Sequence, residues 1–311
     1  MSEKFHFLKL EATGNDFILV DASKQDIPLE HLEHIAPEIC NRKTGIGADG
    51  LLILHPISTL GADYTMIYKN ADGSDAGMCG NGGRAIAFYA SQNGYSDTHR
   101  FQVHEQVYEA FVHPGSHQVE ISFPDCDAPS PVSNEWLACL NKDSTEQSSQ
   151  QASMLSSLLK ADAAFRAYPQ TEHVVLFTND LLAIQPTEEL AKLGRSIRND
   201  ELFHPRGTNV NFVCSQQANH IQLETYERGV EDFTLACGTG AIASAMALHM
   251  KEGGKAGSHL YHVTVQGGFL EVSFDCTGND ALTQSEHGPL FKKVLLKGPA
   301  RFVFNGIWAG N

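Results

Sequence analysis

Two cysteines in this chain stand directly before glycine-rich turns that run into small, apolar segments. They are Cys79 in "AGMCGNGGRAIAFYA" (76–90) and Cys237 in "LACGTGAIASAMALHM" (235–250). Each segment reads as a helix that starts at its glycine turn. The unpaired backbone N–H groups of a helix start make a local positive end. A carboxylate docks there, and a cysteine there has its thiolate stabilised, so its pKa falls from about 8.5 towards neutrality. Two such copies facing each other would put a sulfur on either side of a bound carboxylate. One thiolate could then remove the α-proton from one face while the opposite thiol returns a proton to the other, inverting the stereocentre. Helix starts aimed at the carboxylate would stabilise the charge that builds as the carbanion forms. An acid and a base with pKa values near working pH suit such a transfer. No cofactor is required.

The elements that must carry these residues are mostly strands. Runs such as "FHFLKL", "FILVDA", "GLLILHP", "YTMIYKN", "HVVLFTND", "HIQLETYER" and "FLEVSF" are short and mostly bounded by Gly, Pro, Asn or Asp. Helical spacing is confined to the two segments above, to "PLEHLEHIAPEICNR" with Pro28 in its first turn, and to "PTEELAKLGRSIRND" with Thr187 as a cap. This is an α+β pattern, not a steady βαβ alternation. The two cysteine turns are 237 − 79 = 158 residues apart, and "TGNDFILVDA" meets "PQTEHVVLFTND" at nearly the same offset. An internal duplication follows, with two similar domains and a cleft between them. The Ser- and Gln-rich stretch at 141–153 reads as an exposed insertion.

Composition narrows the function. A length of 311 residues suggests two domains, and 42% apolar with 19% charged residues is ordinary globular usage. A formal net charge of −15 with no Lys/Arg cluster argues against a nucleic-acid or anionic-membrane partner. No apolar run is long enough for a transmembrane helix, and the N-terminal stretch is not a signal peptide, so a cytoplasmic protein is expected. The 7 cysteines form no CxxC pair and read as reduced thiols; all but Cys79 and Cys237 look like ordinary core residues. No histidine spacing suggests a metal site. The run Gly45–Gly50 fits GxGxxG but precedes a strand, and Gly238–Ala243 fits GxGxxA without the surrounding βαβ unit, so neither reads as a dinucleotide site.

The runs "NADGSDAGMCGNGGR" and "YERGVEDFTLACGTGA", with "TGNDF", "RKTGIGADG" and "GTNVNFV", resemble the diaminopimelate epimerases, in family order from residue 5 to about 305. These are pyridoxal-phosphate-independent two-cysteine enzymes of lysine and peptidoglycan-precursor synthesis. The resemblance implies two pseudo-symmetric domains, each a curved, largely antiparallel sheet or barrel around a central helix, with the active site in the interdomain cleft. The domains would be 1–125 plus about 298–311, carrying Cys79, and 126–297, carrying Cys237. It implies that Cys79 and Cys237 are the catalytic pair and that Gly80, Asn81, Gly82, Gly238 and Thr239 cradle the reacting carboxylate. By the same match Asn15, Asn70 and Asn209 contact substrate, Glu227 holds an ammonium, Arg228 binds the distal carboxylate, and His173 lies near the second cysteine. The partner would be a small amino acid, with subunit number left open, a homodimer included.

Three positions depart from the family pattern. Gln170-Thr171-Glu172-His173 stands where Gly-Asn-Pro-His is usual, so Thr171 replaces an asparagine at the distal end of the substrate. Phe233 replaces a glutamate, and Gly50 stands where some members have glutamine. These bear on which amino acid fits, and they leave open a racemase of altered specificity, acting for example on histidine or glutamate. A binding protein that lost its chemistry is the third alternative, and the persistence of both cysteines argues against it.

Overall fold

The computed structural model describes residues 4–141, 159–278 and 290–310; beyond residue 141, the Ser- and Gln-rich insertion lies outside them. The chain divides into two compact units, Met1–Ser122 with Lys297–Asn311, and Phe123–Leu296.

In the first unit, β1 (Phe5–Ala12) and β2 (Asn15–Asp21) form an antiparallel hairpin. Its turn uses left-handed backbone at Thr13 (φ 52°) and Gly14 (φ 88°). The segment read as one helix from Pro28 is two, α1 (Leu29–His34) and α2 (Ala36–Ile39), with Pro28 at the cap of α1 and not inside its first turn. Pro37 explains the break, since it has no N–H and its ring excludes the carbonyl four residues earlier. Next come β3 (Gly50–His55), parallel to β2 with Phe17 opposite Gly50, and β4 (Tyr64–Asn70), antiparallel to β3 with Gly50 opposite Asn70. Helix α3 (Gly80–Gln92) follows, then β5 (Thr98–Val103), β6 (Gln106–Val112) and β7 (Gln118–Phe123), with β5 parallel to β4 and the others antiparallel in turn.

The second unit opens on β8 (Cys126–Asp127), β9 (Ser130–Pro131) and α4 (Asn134–Asn141), then repeats the first unit's plan. β10 (Ala163–Ala167) and β11 (His173–Thr178) form the antiparallel hairpin. Helix α5 (Glu188–Arg198) starts as its sequence suggests, with the Thr187 hydroxyl accepting the Leu190 N–H at 3.1 Å. β12 (Asn209–Gln217) lies parallel to β11, with His173 opposite Asn209, and β13 (His220–Glu227) returns antiparallel to β12. After β14 (Asp232–Thr234) comes α6 (Gly238–Lys251), then β15 (Gly257–Val265), parallel to β13, and β16 (Gly268–Cys276), antiparallel to β15. β17 (Leu290–Pro299) pairs with β8. The last strand, β18 (Arg301–Trp308), belongs to the first unit and pairs antiparallel with β1.

Both units are therefore sheet-rich α+β bodies of one topology, and each places one helix at its centre. Every residue of α3 from Gly80 to Ala90 is buried, and it touches β1, β2, β3, β4 and β6. Helix α6 is buried nearly as completely and touches β10, β11, β12, β13, β15 and β16. A helix apolar on all sides has to be enclosed, and small residues such as Gly83, Ala85 and Ala87 on α3, or Ala241, Ala243 and Ala245 on α6, fit inside a sheet curved around it.

Candidate active site

In both units the strand ends and the helix start carry the chemistry-bearing residues, at matching places. Asn15 and His173 open β2 and β11, Asn70 and Glu227 close β4 and β13, and Cys79 and Cys237 cap α3 and α6.

The caps match in detail. Cys79 has φ −106° and ψ 114°, Cys237 φ −118° and ψ 112°, both extended. The Cys79 sulfur accepts the Gly82 N–H at 3.4 Å, and the Cys237 sulfur accepts the Gly240 N–H at 3.4 Å. Cysteine thus stands where serine or aspartate normally caps a helix, and its sulfur points at the positive end. Cys237 is buried and Cys79 half-buried. The close approach depends on glycine. A Cβ on Gly240 would lie 2.6 Å from Asn211 Oδ1, and one on Gly82 would lie 3.2 Å from Leu52.

Around Cys79, Gly80, Asn81 and Gly82 form the first turn of α3. The Asn81 amide donates to Asn15 Oδ1, and Asn15 Nδ2 donates to Asp49 Oδ2 at 3.1 Å. Asp16 and Asp49 share Arg42, whose guanidinium lies 2.7 Å from each. Although burial opposes it, bonds from Arg42 and Lys9 hold Asp16 down at about 2. Asn70 sits at the same end of the sheet but is tied to its own turn, its amide donating to Ser74 Oγ at 3.0 Å.

Around Cys237 lies a polar chain whose proton order can be worked out. Asn211 is fully buried, and its Nδ2 is 3.0 Å from the Val174 carbonyl and 2.9 Å from His173 Nδ1. A carbonyl only accepts, so the nitrogen end of the amide faces both groups and His173 Nδ1 must accept. The imidazole proton is then on Nε2, 2.9 Å from Thr171 Oγ1 and 3.0 Å from Thr239 Oγ1. Thr171 also donates to Thr239 at 3.3 Å, leaving the Thr239 hydroxyl proton for the Cys237 sulfur at 3.6 Å. Burial, reinforced by the charge of Arg228, pushes the His173 pKa down to about 3. The ring is neutral at physiological pH and fixed in one tautomer.

The distal residues are interlocked. Asn209 Oδ1 accepts the Arg228 backbone N–H at 2.9 Å, and Asn209 Nδ2 donates to the Glu172 carbonyl at 3.1 Å. The Glu172 carboxylate lies 3.0 Å from Arg228 Nη1 and 2.7 Å from Arg206 Nε. Glu227 accepts the Thr234 hydroxyl at 3.0 Å. Beside these groups a cavity of about 460 Å³ is lined in part by Tyr168, Glu172, His173, Arg206 and Thr208. Phe233 turns inward, packing on Phe212 and Tyr226 at centroid distances of 6.1 and 5.9 Å. At Gly50 a Cβ would lie 2.4 Å from the Tyr68 ring, so that ring fills the space a side chain would enter.

Within each unit these residues lie at one end of the strands and at the helix start, and three further residues join them: Asn211, Arg206 and Arg84. Asn211 was legible in principle, since it lies two residues after Asn209 on one strand and so on the same face. Arg206 carries no local signal. Arg84 stands within the first glycine-rich run. Among the described residues, no cluster of three or more His, Cys, Asp or Glu is arranged to hold a metal ion.

The chain is similar to known proteins along nearly its whole length. The diaminopimelate epimerase family profile matches residues 7–107 and 167–290. A diaminopimelate epimerase of Flavobacterium psychrophilum is 33% identical over 296 residues, covering 95% of this chain and 97% of that protein. One from Chlorobaculum tepidum is 32% identical, covering 96% and 98%. Among solved structures, a phenazine biosynthesis protein of the PhzF family from Bacillus anthracis matches with TM-score 0.66 at 13% identity, covering 99% of this chain and 100% of that one. A hydroxyproline epimerase from Agrobacterium vitis, with bound trans-4-hydroxy-L-proline, matches with TM-score 0.64 at 12% identity, covering 98% and 91%. These structural likenesses are of fold.

Proposed function

The chain belongs to the diaminopimelate epimerase family of isomerases, and from that premise we propose that it interconverts LL- and meso-diaminopimelate, with Cys79 and Cys237 as the two proton-transferring groups. The observation that carries this reading is the pair of identical caps, each holding a sulfur at a helix start. In it the N–H groups of Gly80, Asn81, Gly82, Gly238 and Thr239 hold the reacting carboxylate and stabilise the carbanion. One thiolate takes the α-proton and the other thiol delivers one to the opposite face. The Thr239 hydroxyl and Gly240 N–H both point at the Cys237 sulfur and favour its anionic form. His173 takes no proton in this scheme; it orients Thr239. Asn15, Asn70, Asn209, Thr171, Glu227 and Arg228 hold the rest of the substrate. A cytoplasmic setting belongs to the same reading, since the chemistry needs reduced thiols, as does a place in lysine and peptidoglycan-precursor synthesis. The test is solvent-deuterium incorporation at the α-carbon of LL-diaminopimelate by the reduced protein. Exchange with formation of the meso isomer is expected. Exchange on another amino acid alone would overturn the substrate.

One observation favours a second reading, a racemase of altered specificity. The Glu172 carboxylate already engages the arginine assigned to the distal carboxylate. Glu172→Gln separates the two. For diaminopimelate, removing a competing anion lowers KM by about three- to tenfold, as expected for a half-buried ion pair. For a substrate with a cationic far end, such as histidinium, the same change raises KM. Initial rates across substrate concentration for both amino acids decide between them.

A further inference from the structure

Arg84 is fully buried, with no exposed surface, and no carboxylate pairs with it among the described residues. Its guanidinium meets only neutral acceptors: Thr13 Oγ1 at 2.9 Å, Asn81 Oδ1 at 2.7 Å and the Gly80 carbonyl at 3.3 Å. Its Nε has no hydrogen-bond partner. The carboxylate nearest in electrostatic effect, Glu11, is bonded to Arg301 at 2.7 Å. A buried cation without a bonded anion is costly, and the fold does not demand it. At the same offset of 158 residues the second unit has Ile242, fully buried in a helix of the same plan. Arg84 is therefore particular to the Cys79 side.

Its bonds fix more than its own position. A guanidinium only donates, so Asn81 must turn its oxygen to Arg84 and its nitrogen to Asn15 Oδ1. Asn15 then has to present its nitrogen, one hydrogen going to Asp49. Asn15 thereby turns its amide nitrogen away from Asn81, and the hydrogen not used by Asp49 suits an anion and not a cation. Thr13, in the left-handed turn before Asn15, is tied to the same guanidinium. Burial lowers the Arg84 pKa to about 10, with Cys79 and Glu11 acting the other way, so it stays charged at neutral pH.

We propose that Arg84 is a positioning residue of the Cys79 half-site: it sets the amide polarity of Asn81 and Asn15 and keeps a permanent positive charge beneath the turn where a thiolate and a carboxylate gather. That the anion gathered there is a substrate carboxylate rests on the epimerase reading; the effect on Cys79 does not.

The test compares wild type, Arg84→Lys, which keeps the charge but cannot form the three-point fork, and Arg84→Gln, which is polar and neutral. Two quantities are read on the full chain: the rate of Cys79 alkylation by iodoacetamide at neutral pH, followed by peptide mass spectrometry, and kcat/KM for LL-diaminopimelate. For Arg84→Gln alkylation slows about tenfold and kcat/KM falls about 100-fold. For Arg84→Lys alkylation stays within about threefold of wild type while kcat/KM still falls about tenfold. If Arg84→Gln does not fold, Arg84→Lys alone decides, and unchanged kcat/KM in it overturns the positioning role. Equal alkylation in all three folded proteins overturns the electrostatic role. Should wild type not turn over diaminopimelate, the substrate reading fails while the alkylation series still tests Arg84.

Discussion

On the two-cysteine reading, replacing Cys237 with alanine is expected to suppress inversion while leaving the α-proton of one stereoisomer exchanging with solvent, and replacing Cys79 to do the same for the other stereoisomer. The reason is the division of labour in a two-base reaction. A thiolate that loses its opposite partner can still remove a proton from its own face and return one to that face, with retention. Each variant loses roughly 10²- to 10⁴-fold in epimerisation, the usual contribution of one general acid or base. The caps explain why the proteins should still fold. Each sulfur accepts a helix N–H as a cap does, and losing a cap costs about 1 kcal/mol. Proton NMR in deuterium oxide, with chiral separation of the products, distinguishes exchange from inversion. Inversion at the wild-type rate in either variant would falsify the two-sulfur scheme.

Acid destabilises the protein through His173, and the window can be worked out. Unfolded, its imidazole titrates near 6.5; folded, it is held down to about 3 by burial. Between those values the unfolded chain binds a proton that the native state does not. The contribution is therefore complete above about pH 6.5 and lost as pH falls towards 3. Full burial makes it large, of the order of 4 kcal/mol. His99 and His249 are also lowered by burial and add slope in the same direction. Asp16 acts lower, since its stabilisation disappears only as pH falls through about 2. The decisive quantity is thus the difference between wild type and His173→Gln in urea-unfolding free energy, measured from pH 7 to pH 4 (about three units). It should shrink as the pH falls. Parallel curves would show that His173 does not carry the acid response.

What the sequence revealed and hid follows from how local each determinant is. The cysteine caps were legible because a cap, a glycine turn and an apolar run occupy consecutive positions, and their repetition at one offset exposed the duplication. Thr187 was legible for the same reason. The break at Pro37 was a local signal too, overridden in the reading by apolar spacing on either side of it. Hydrogen-bond polarity is a different matter. Asn211 acts on His173 across 38 residues and Arg84 on Thr13 across 71, so neither role can be inferred before the strands are paired. The glutamate in place of the family's proline is legible in the sequence, but its engagement with Arg206 and Arg228 depends on where two separate loops arrive. Phe233, a departure that bears on substrate fit, is half-buried and packs on the core rings of Phe212 and Tyr226.

The pairing of β18 with β1 has a consequence for biogenesis. Phe302 on that last strand lies 5.2 Å from the Phe88 ring and 6.4 Å from Tyr89, both on α3, and Arg301 reaches Glu11 across 290 residues of chain. A ribosome therefore releases the first body one strand short, with Phe88 and Tyr89 of its central helix lacking the Phe302 ring, and synthesises the whole second body before the missing piece emerges. The half that begins first is finished last.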